Sequence, residues 1–285
     1  MLVTDLIWPA YRRILADALP NDASQITMVK VKEQILSGEL DVEGLVDLVT
    51  DAYTSNGCDG IFLPAICNFG IKLPVEKLVN RIASKSTIRF SIVDAAQAVN
   101  HVELVGLSKL VDFTIAGSHK WLRSYAPLAF GLFAKKGSAS FIATSIDQHV
   151  NSAFDCDPLL KFSEGVQCPF GETLNLSGLF GCSGAVKDAI IKSDFDDLHE
   201  TREVIREIAR SANWEAVEPK PEFCSRILMI RKPGFCEDSR EKLRRLFIRN
   251  QVAVSDFAGG YCRISIPDAI GKEDYRRLRT AFACI

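Results

Sequence analysis

The chain has 285 residues, enough for one large domain with a companion or for two of ordinary size, and its 47% hydrophobic and 25% charged content excludes disordered and fibrous classes. With 34 basic against 36 acidic residues, the formal net charge of −2 offers no basic field for nucleic acid and no polybasic membrane patch, so a small-molecule substrate is expected. The nine cysteines are scattered singly with no CxxC pair, which suits reduced thiols in a cytoplasmic protein better than a disulfide frame or a zinc site. The opening MLVTDLIWPAYRRIL lacks the pattern of a secretory leader, and no apolar run approaches the length that spans a bilayer.

Along the chain, helix-like and strand-like patterns alternate. Asp41 to Gly57 carries apolar residues at helical spacing and ends at a glycine, and GIFLPAI after it is short, apolar and strand-like. Leu73 to Ser84 is a second amphipathic helix. IRFSIVD and VDFTIAG read as buried strands, and AFGLFAKKG, Ala129 to Gly137, reads as a third ending in a turn. From Ser138 to Leu174 the pattern loosens into loop with short helices, and helix resumes through SGLFGCSGAVKDAI and Asp194 to Ala212. The last seventy or so residues run strand, helix, strand pair around Gly-Gly, helix.

This order predicts an α/β fold, a mostly parallel sheet with helices on both faces, followed by a small α+β domain. Pro219 and Pro221 interrupt the helical pattern, so the expected domains are residues 1–215 and 216–285.

In an open α/β sheet, polar groups collect at the carboxyl ends of the strands. Two such ends stand out. IRFSIVDAAQAVNH places Asp94 at the end of one strand with Gln97 three residues on, and VDFTIAGSHKWL places Ser118, His119 and Lys120 at the end of the next. If the two strands are neighbours, a carboxylate, an amide and an amine converge. Taken singly, a lysine after a strand is usually a surface residue and an aspartate there a helix cap. Order and spacing together carry the signal.

The combination of D-A-A-Q and, 26 residues after the aspartate, S-H-K resembles the fold-type I pyridoxal-phosphate enzymes of the class V aminotransferase and cysteine desulfurase superfamily. The resemblance implies pyridoxal 5′-phosphate as cofactor, with Lys120 its Schiff-base lysine, Asp94 the partner of its ring nitrogen, and Gln97 at its phenolic oxygen. Ser118 and His119 would then hold the phosphate. Arg263, in YCRISIP, resembles the family's substrate-carboxylate arginine, whose planar fork orients an amino acid through two parallel hydrogen bonds. Thr173, in FGETLN, is similar to the residue that reaches a neighbouring subunit's phosphate, and Trp8, in DLIWPAYRR, to the aromatic ring over the cofactor face. Asn68, in ICNFG, resembles a family asparagine with its spacing to Gly70 one residue short.

The sequence also departs from the family. Met1 falls on the LVTD strand, where family members carry a preceding segment with a phosphate-cradling loop, so a split enzyme with a partner polypeptide is expected, as heteromer or homodimer. Cys262 lies in a strand beside Arg263 rather than on a mobile loop, which makes desulfurase activity less expected than transamination. The implied function is a pyridoxal-phosphate enzyme acting on an amino acid. Lyase and epimerase chemistry, and a non-catalytic or regulatory subunit that keeps the fold, stay open.

Overall fold

β1 (Leu2–Thr4) is buried at all three residues and pairs in parallel with β2 (Thr27–Val29) on one side and β3 (Gly60–Pro64) on the other. The computed structural model describes residues 1–18, 25–104, 106–133, 177–191, 199–235, 240–267 and 270–284. Contacts divide the chain into two units, residues 1–87 with 194–285, and residues 88–193.

In the first unit all five residues of β3 are buried, as expected of a strand covered on both faces. α1 (Pro9–Ala18) and α2 (Lys32–Leu36) follow β1 and β2. α3 (Val42–Ser55) starts where the Asp41 side chain accepts from the Gly44 amide at 2.8 Å, and it buries Leu45, Val46, Val49 and Tyr53. α4 (Val75–Lys85) buries Val75, Leu78, Val79 and Ile82. The outer faces of these two helices are joined by Lys77–Glu43, Arg81–Asp47 and Lys85–Asp51 pairs, exposed and therefore of small energetic consequence.

The same unit contains the C-terminal α+β part. β7 (Glu215–Ala216), β8 (Ile227–Arg231), β9 (Ser255–Phe257) and β10 (Tyr261–Ser265) form an antiparallel sheet in the order β7-β8-β10-β9. α7 (His199–Ser211), α8 (Arg240–Arg249) and α9 (Lys272–Ala283) accompany it. Trp214 sits in the core, its ring edge-on to Phe247 at 5.9 Å and to Phe282 at 5.3 Å.

In the second unit β4 (Phe90–Asp94) and β5 (Phe113–Gly117) are parallel neighbours, with Asp94 opposite Ile115. β6 (Ala129–Phe133) adds to β5 in the antiparallel sense. α5 (Leu107–Leu110) and α6 (Ser177–Ile191) complete the described part of this unit. A mostly parallel sheet with helices and a small C-terminal α+β part is thus the architecture found. The loosened stretch from Ser138 to Leu174 lies outside the described residues.

Candidate active site

The second unit brings five of the expected site residues to the ends of two adjacent parallel strands. β4 carries Phe90, Ile92 and Val93 around the buried Ser91, and Asp94 arrives at its end 9% exposed. One carboxylate oxygen accepts from the Ala96 amide at 2.8 Å, which starts the turn that carries Gln97. Burial pushes the Asp94 carboxyl up from its ordinary range; the Ala96 hydrogen bond and the positive charge of Lys120 pull the other way. Asp94 and Lys120 thus stand at the ends of two adjacent strands, near enough for the charge of one to act on the other.

β5 ends at Gly117, and the chain turns at Ser118. Ser118 is fully buried, and its hydroxyl accepts from the Leu128 amide at 3.0 Å while its own backbone N–H donates to the Leu128 carbonyl at 2.8 Å. Ser124 closes the same loop, its amide donating to the Ser118 carbonyl at 2.9 Å and its hydroxyl to the Ala126 carbonyl at 2.8 Å. In this arrangement Ser118 fastens the loop that presents Lys120. His119 is exposed, its ring lying back over Gly117, where an added Cβ would come within 3.0 Å of it. Lys120 is exposed as well.

Trp121, to which the sequence assigned no role, joins the two strand ends. Its indole N–H donates to Gln97 Oε1 at 3.0 Å, its carbonyl accepts from the Asn100 side-chain amide at 3.0 Å, and its ring lies 3.9 Å, centroid to centroid, from that of His101. His101 Nδ1 in turn lies 2.6 Å from the Gln97 carbonyl oxygen. The sequence signal for this residue is a bulky aromatic directly after the lysine; its partner 24 positions earlier becomes visible once β4 and β5 are paired.

Arg263 belongs to the first unit, on β10, between Met229 of β8 and Ser255 of β9. Its guanidinium donates to the Asn68 carbonyl at 3.4 Å and to the Ser255 hydroxyl at 3.0 Å, and its Nε is buried without a hydrogen-bond partner. Burial pulls the guanidinium down from its ordinary range, opposed by the nearby Cys67. Among the described residues no carboxylate pairs with it, and its hydrogen bonds go to neutral oxygens. The neighbouring Cys67 thiol is pushed up to about 11 by burial, and the Cys262 thiol to about 12 by burial and Asp256. Neither is a ready nucleophile at neutral pH.

Trp8, also in the first unit, is 53% exposed and meets Tyr11 edge-on at 5.6 Å. Thr173 lies outside the described residues. Among the described residues no three His, Cys, Asp or Glu side chains are grouped to hold a metal ion, and no helix is long and apolar enough to cross a membrane.

No protein-family model matches the sequence, and no curated protein matches it. Among solved structures the chain is similar to pyridoxamine-pyruvate aminotransferase from Mesorhizobium loti, with a TM-score of 0.69 at 13% identity over 99% of this chain and 71% of that one. It is similar to cysteine desulfurase from Thermococcus onnurineus NA1, with a TM-score of 0.67 at 14% identity over 99% and 71%. It is also similar to a complex of SepCysS with the SepCysE N-terminal domain, with a TM-score of 0.63 at 13% identity over 98% and 72%. The fold is the one these aminotransferase and cysteine desulfurase structures share.

The residues of the second unit can be tested against pyridoxal phosphate. A buried carboxyl already raised by desolvation is suited to a cationic ring nitrogen, and an ammonium near it is suited to the aldehyde end. These two ends fit. At the phosphate end, Ser118 is committed to its own loop and His119 is the exposed donor.

Proposed function

We propose that this chain is a pyridoxal-phosphate enzyme of the class V aminotransferase-like group, acting on an amino acid, with Lys120 the residue that holds the cofactor covalently. The observation that carries this reading is the buried Asp94 carboxyl at the end of β4, with Lys120 in the loop that follows the adjacent parallel strand β5. When bound, the cofactor supplies an electron sink for charge released at the substrate Cα.

The chain's own groups do the rest. Asp94 keeps a proton on the ring nitrogen, because a carboxylate in a desolvated position is best neutralised by a cation. Lys120 would hold the cofactor's aldehyde end, and its amine is the base that would move the substrate Cα proton. Arg263 receives the substrate carboxylate, which restores the charge balance of a desolvated guanidinium, and Gln97 donates to the phenolic oxygen. His119 and Thr173 would take the phosphate, with Ser118 holding their side of the site through its loop, and Trp8 would cover the ring.

The exposure of Lys120 supports a site completed by another surface, either a second copy or a separate chain, in a cytoplasmic homodimer or heteromer. Residues 1–215 would form the cofactor-binding part and 216–285 the small domain. A second reading, a non-catalytic subunit, is favoured by the commitment of Ser118 to its own loop.

Mixing the protein with pyridoxal phosphate and recording the visible spectrum separates the two. The expected result is an absorption band that borohydride bleaches and that Lys120→Ala fails to develop. A wild-type protein without a band, alone or with a partner chain, leaves only the subunit reading.

A further inference from the structure

Trp121 makes three contacts that bind the turn after β4 to the loop after β5: through its indole N–H, its ring and its carbonyl. The first has a directional consequence. An indole N–H only donates, so the Gln97 atom that meets it at 3.0 Å has to be the carbonyl oxygen Oε1. The two ends of the Gln97 amide are thereby distinguished, and its NH₂ is turned away from the indole. Asn100 holds the other side of Trp121 from a left-handed backbone position, φ +57°, which asparagine tolerates better than most residues. His101, 2% exposed, backs the indole ring and meets the backbone carbonyl oxygen of Gln97.

We propose that Trp121 is a positioning residue: its indole N–H locks the Gln97 amide with the NH₂ toward the cofactor's phenolic oxygen, and its backbone carries Lys120 in fixed relation to that amide. The inference rests on the reading of Lys120 as the cofactor lysine. It explains why a bulky aromatic follows the lysine directly, since the residue next to Lys120 is the one that can reach back to the turn beside Asp94.

A free glutamine presents either end of its amide. Presenting the oxygen would set an acceptor against an anionic oxygen, whereas presenting the NH₂ stabilises the deprotonated form and lowers the pH at which the lysine-bound chromophore titrates. Loss of the lock therefore raises that pH. Trp121 acts on the cofactor only through Gln97 and through the placement of Lys120.

The test is a pH titration of the visible band in the cofactor-loaded protein, a readout that a purely structural role would not move. In Trp121→Phe, which keeps the ring against His101 and removes the donor, the midpoint is expected to rise by about 0.5–1 pH unit, the span of one hydrogen bond. Gln97→Glu keeps an acceptor for the indole but loses the NH₂, so its midpoint should rise further, and Trp121→Phe should add little to it. It also serves where Trp121→Phe does not fold. Either variant titrating at the wild-type midpoint, with the band intact, overturns the positioning role while leaving Lys120 in place. A wild-type protein that never develops the band overturns the reading of Lys120 and the proposal with it.

Discussion

At the scale of single residues, the candidate site holds polar groups that folding alone does not favour. Asp94 is 9% exposed, and burial raises its carboxyl above the ordinary value of 3.8. In the cofactor-free protein the sign follows directly. Below the unfolded pKa the carboxyl is protonated in both states and contributes nothing. As the pH rises above the unfolded value the unfolded chain ionises freely while the native state keeps its proton, so stability falls until the raised folded value is passed and stays lower above it. Asp94→Asn, which keeps an acceptor for the Ala96 amide, should therefore equal the wild type in stability near pH 3 and exceed it at neutral pH. Denaturant unfolding at several pH values reads this out; an Asp94→Asn protein less stable than the wild type at pH 7 would mean that the charge is compensated. Arg263 poses the complementary case, a desolvated cation whose Nε lacks a partner. Arg263→Ala should raise KM for a carboxylate substrate roughly 10–100-fold, the worth of one charge-assisted hydrogen bond, with cofactor loading unchanged. Loss of cofactor on equilibrium dialysis would assign Arg263 to the fold or to the phosphate instead.

At the scale of elements, the turn after β3 is where the first unit holds Arg263 in place. Residues 67–70 close through Gly70 N–H to the Cys67 carbonyl at 3.0 Å, and the Ser225 hydroxyl donates to the Gly70 carbonyl at 2.7 Å. The Asn68 carbonyl within that turn accepts from Arg263. Gly70 adopts φ +86°, and a Cβ there would stand 2.6 Å from the Ile227 carbonyl oxygen, backbone that has no flexible end to swing aside. Gly70→Ala should cost about 3 kcal/mol in chemical denaturation, left-handed strain and overpacking together, and should weaken substrate binding with it. A variant of wild-type stability would show that the turn relaxes freely. This element also marks how far the sequence could be read. ICNFG displays its glycine and asparagine openly, yet the need for glycine comes from Ile227, 157 positions away, beyond any local pattern. β2 and α2 were illegible for a different reason: three and five residues are too few to show a period, and α2 is set in place partly by the Asp5 carboxylate accepting from the Val31 and Lys32 amides.

At the scale of the whole molecule, long apolar runs were legible because burial on both faces leaves no polar alternation, as β3 shows, and the ends of β4 and β5 stood out because each run stops abruptly at chemistry-bearing residues. Contacts between side chains from different strand ends were not, since the Trp121–Gln97 bond exists only once a register is chosen. What the described residues leave uncovered bears on assembly. α6 lays its glycines close to the Lys120 loop, Gly178 against the Pro127 carbonyl and Gly181 against the Ser124 hydroxyl, while Phe180 on the same helix is 70% exposed and Leu132 and Phe133 of β6 are 50% and 44% exposed. An exposed aromatic on an otherwise apolar helix favours association, and a surface that covers α6 lies one helix away from the loop that presents Lys120. Association and cofactor retention should therefore rise together. The wild-type protein, alone or mixed with a partner chain, should sediment as an oligomer when loaded. Phe180→Asp, which opposes burial without touching Asp94, Gln97 or Lys120, should shift the population toward the 31.5 kDa monomer and weaken cofactor binding several-fold. A monomer that holds its cofactor and turns over substrate at the same rate would show that the exposed Lys120 needs no second surface.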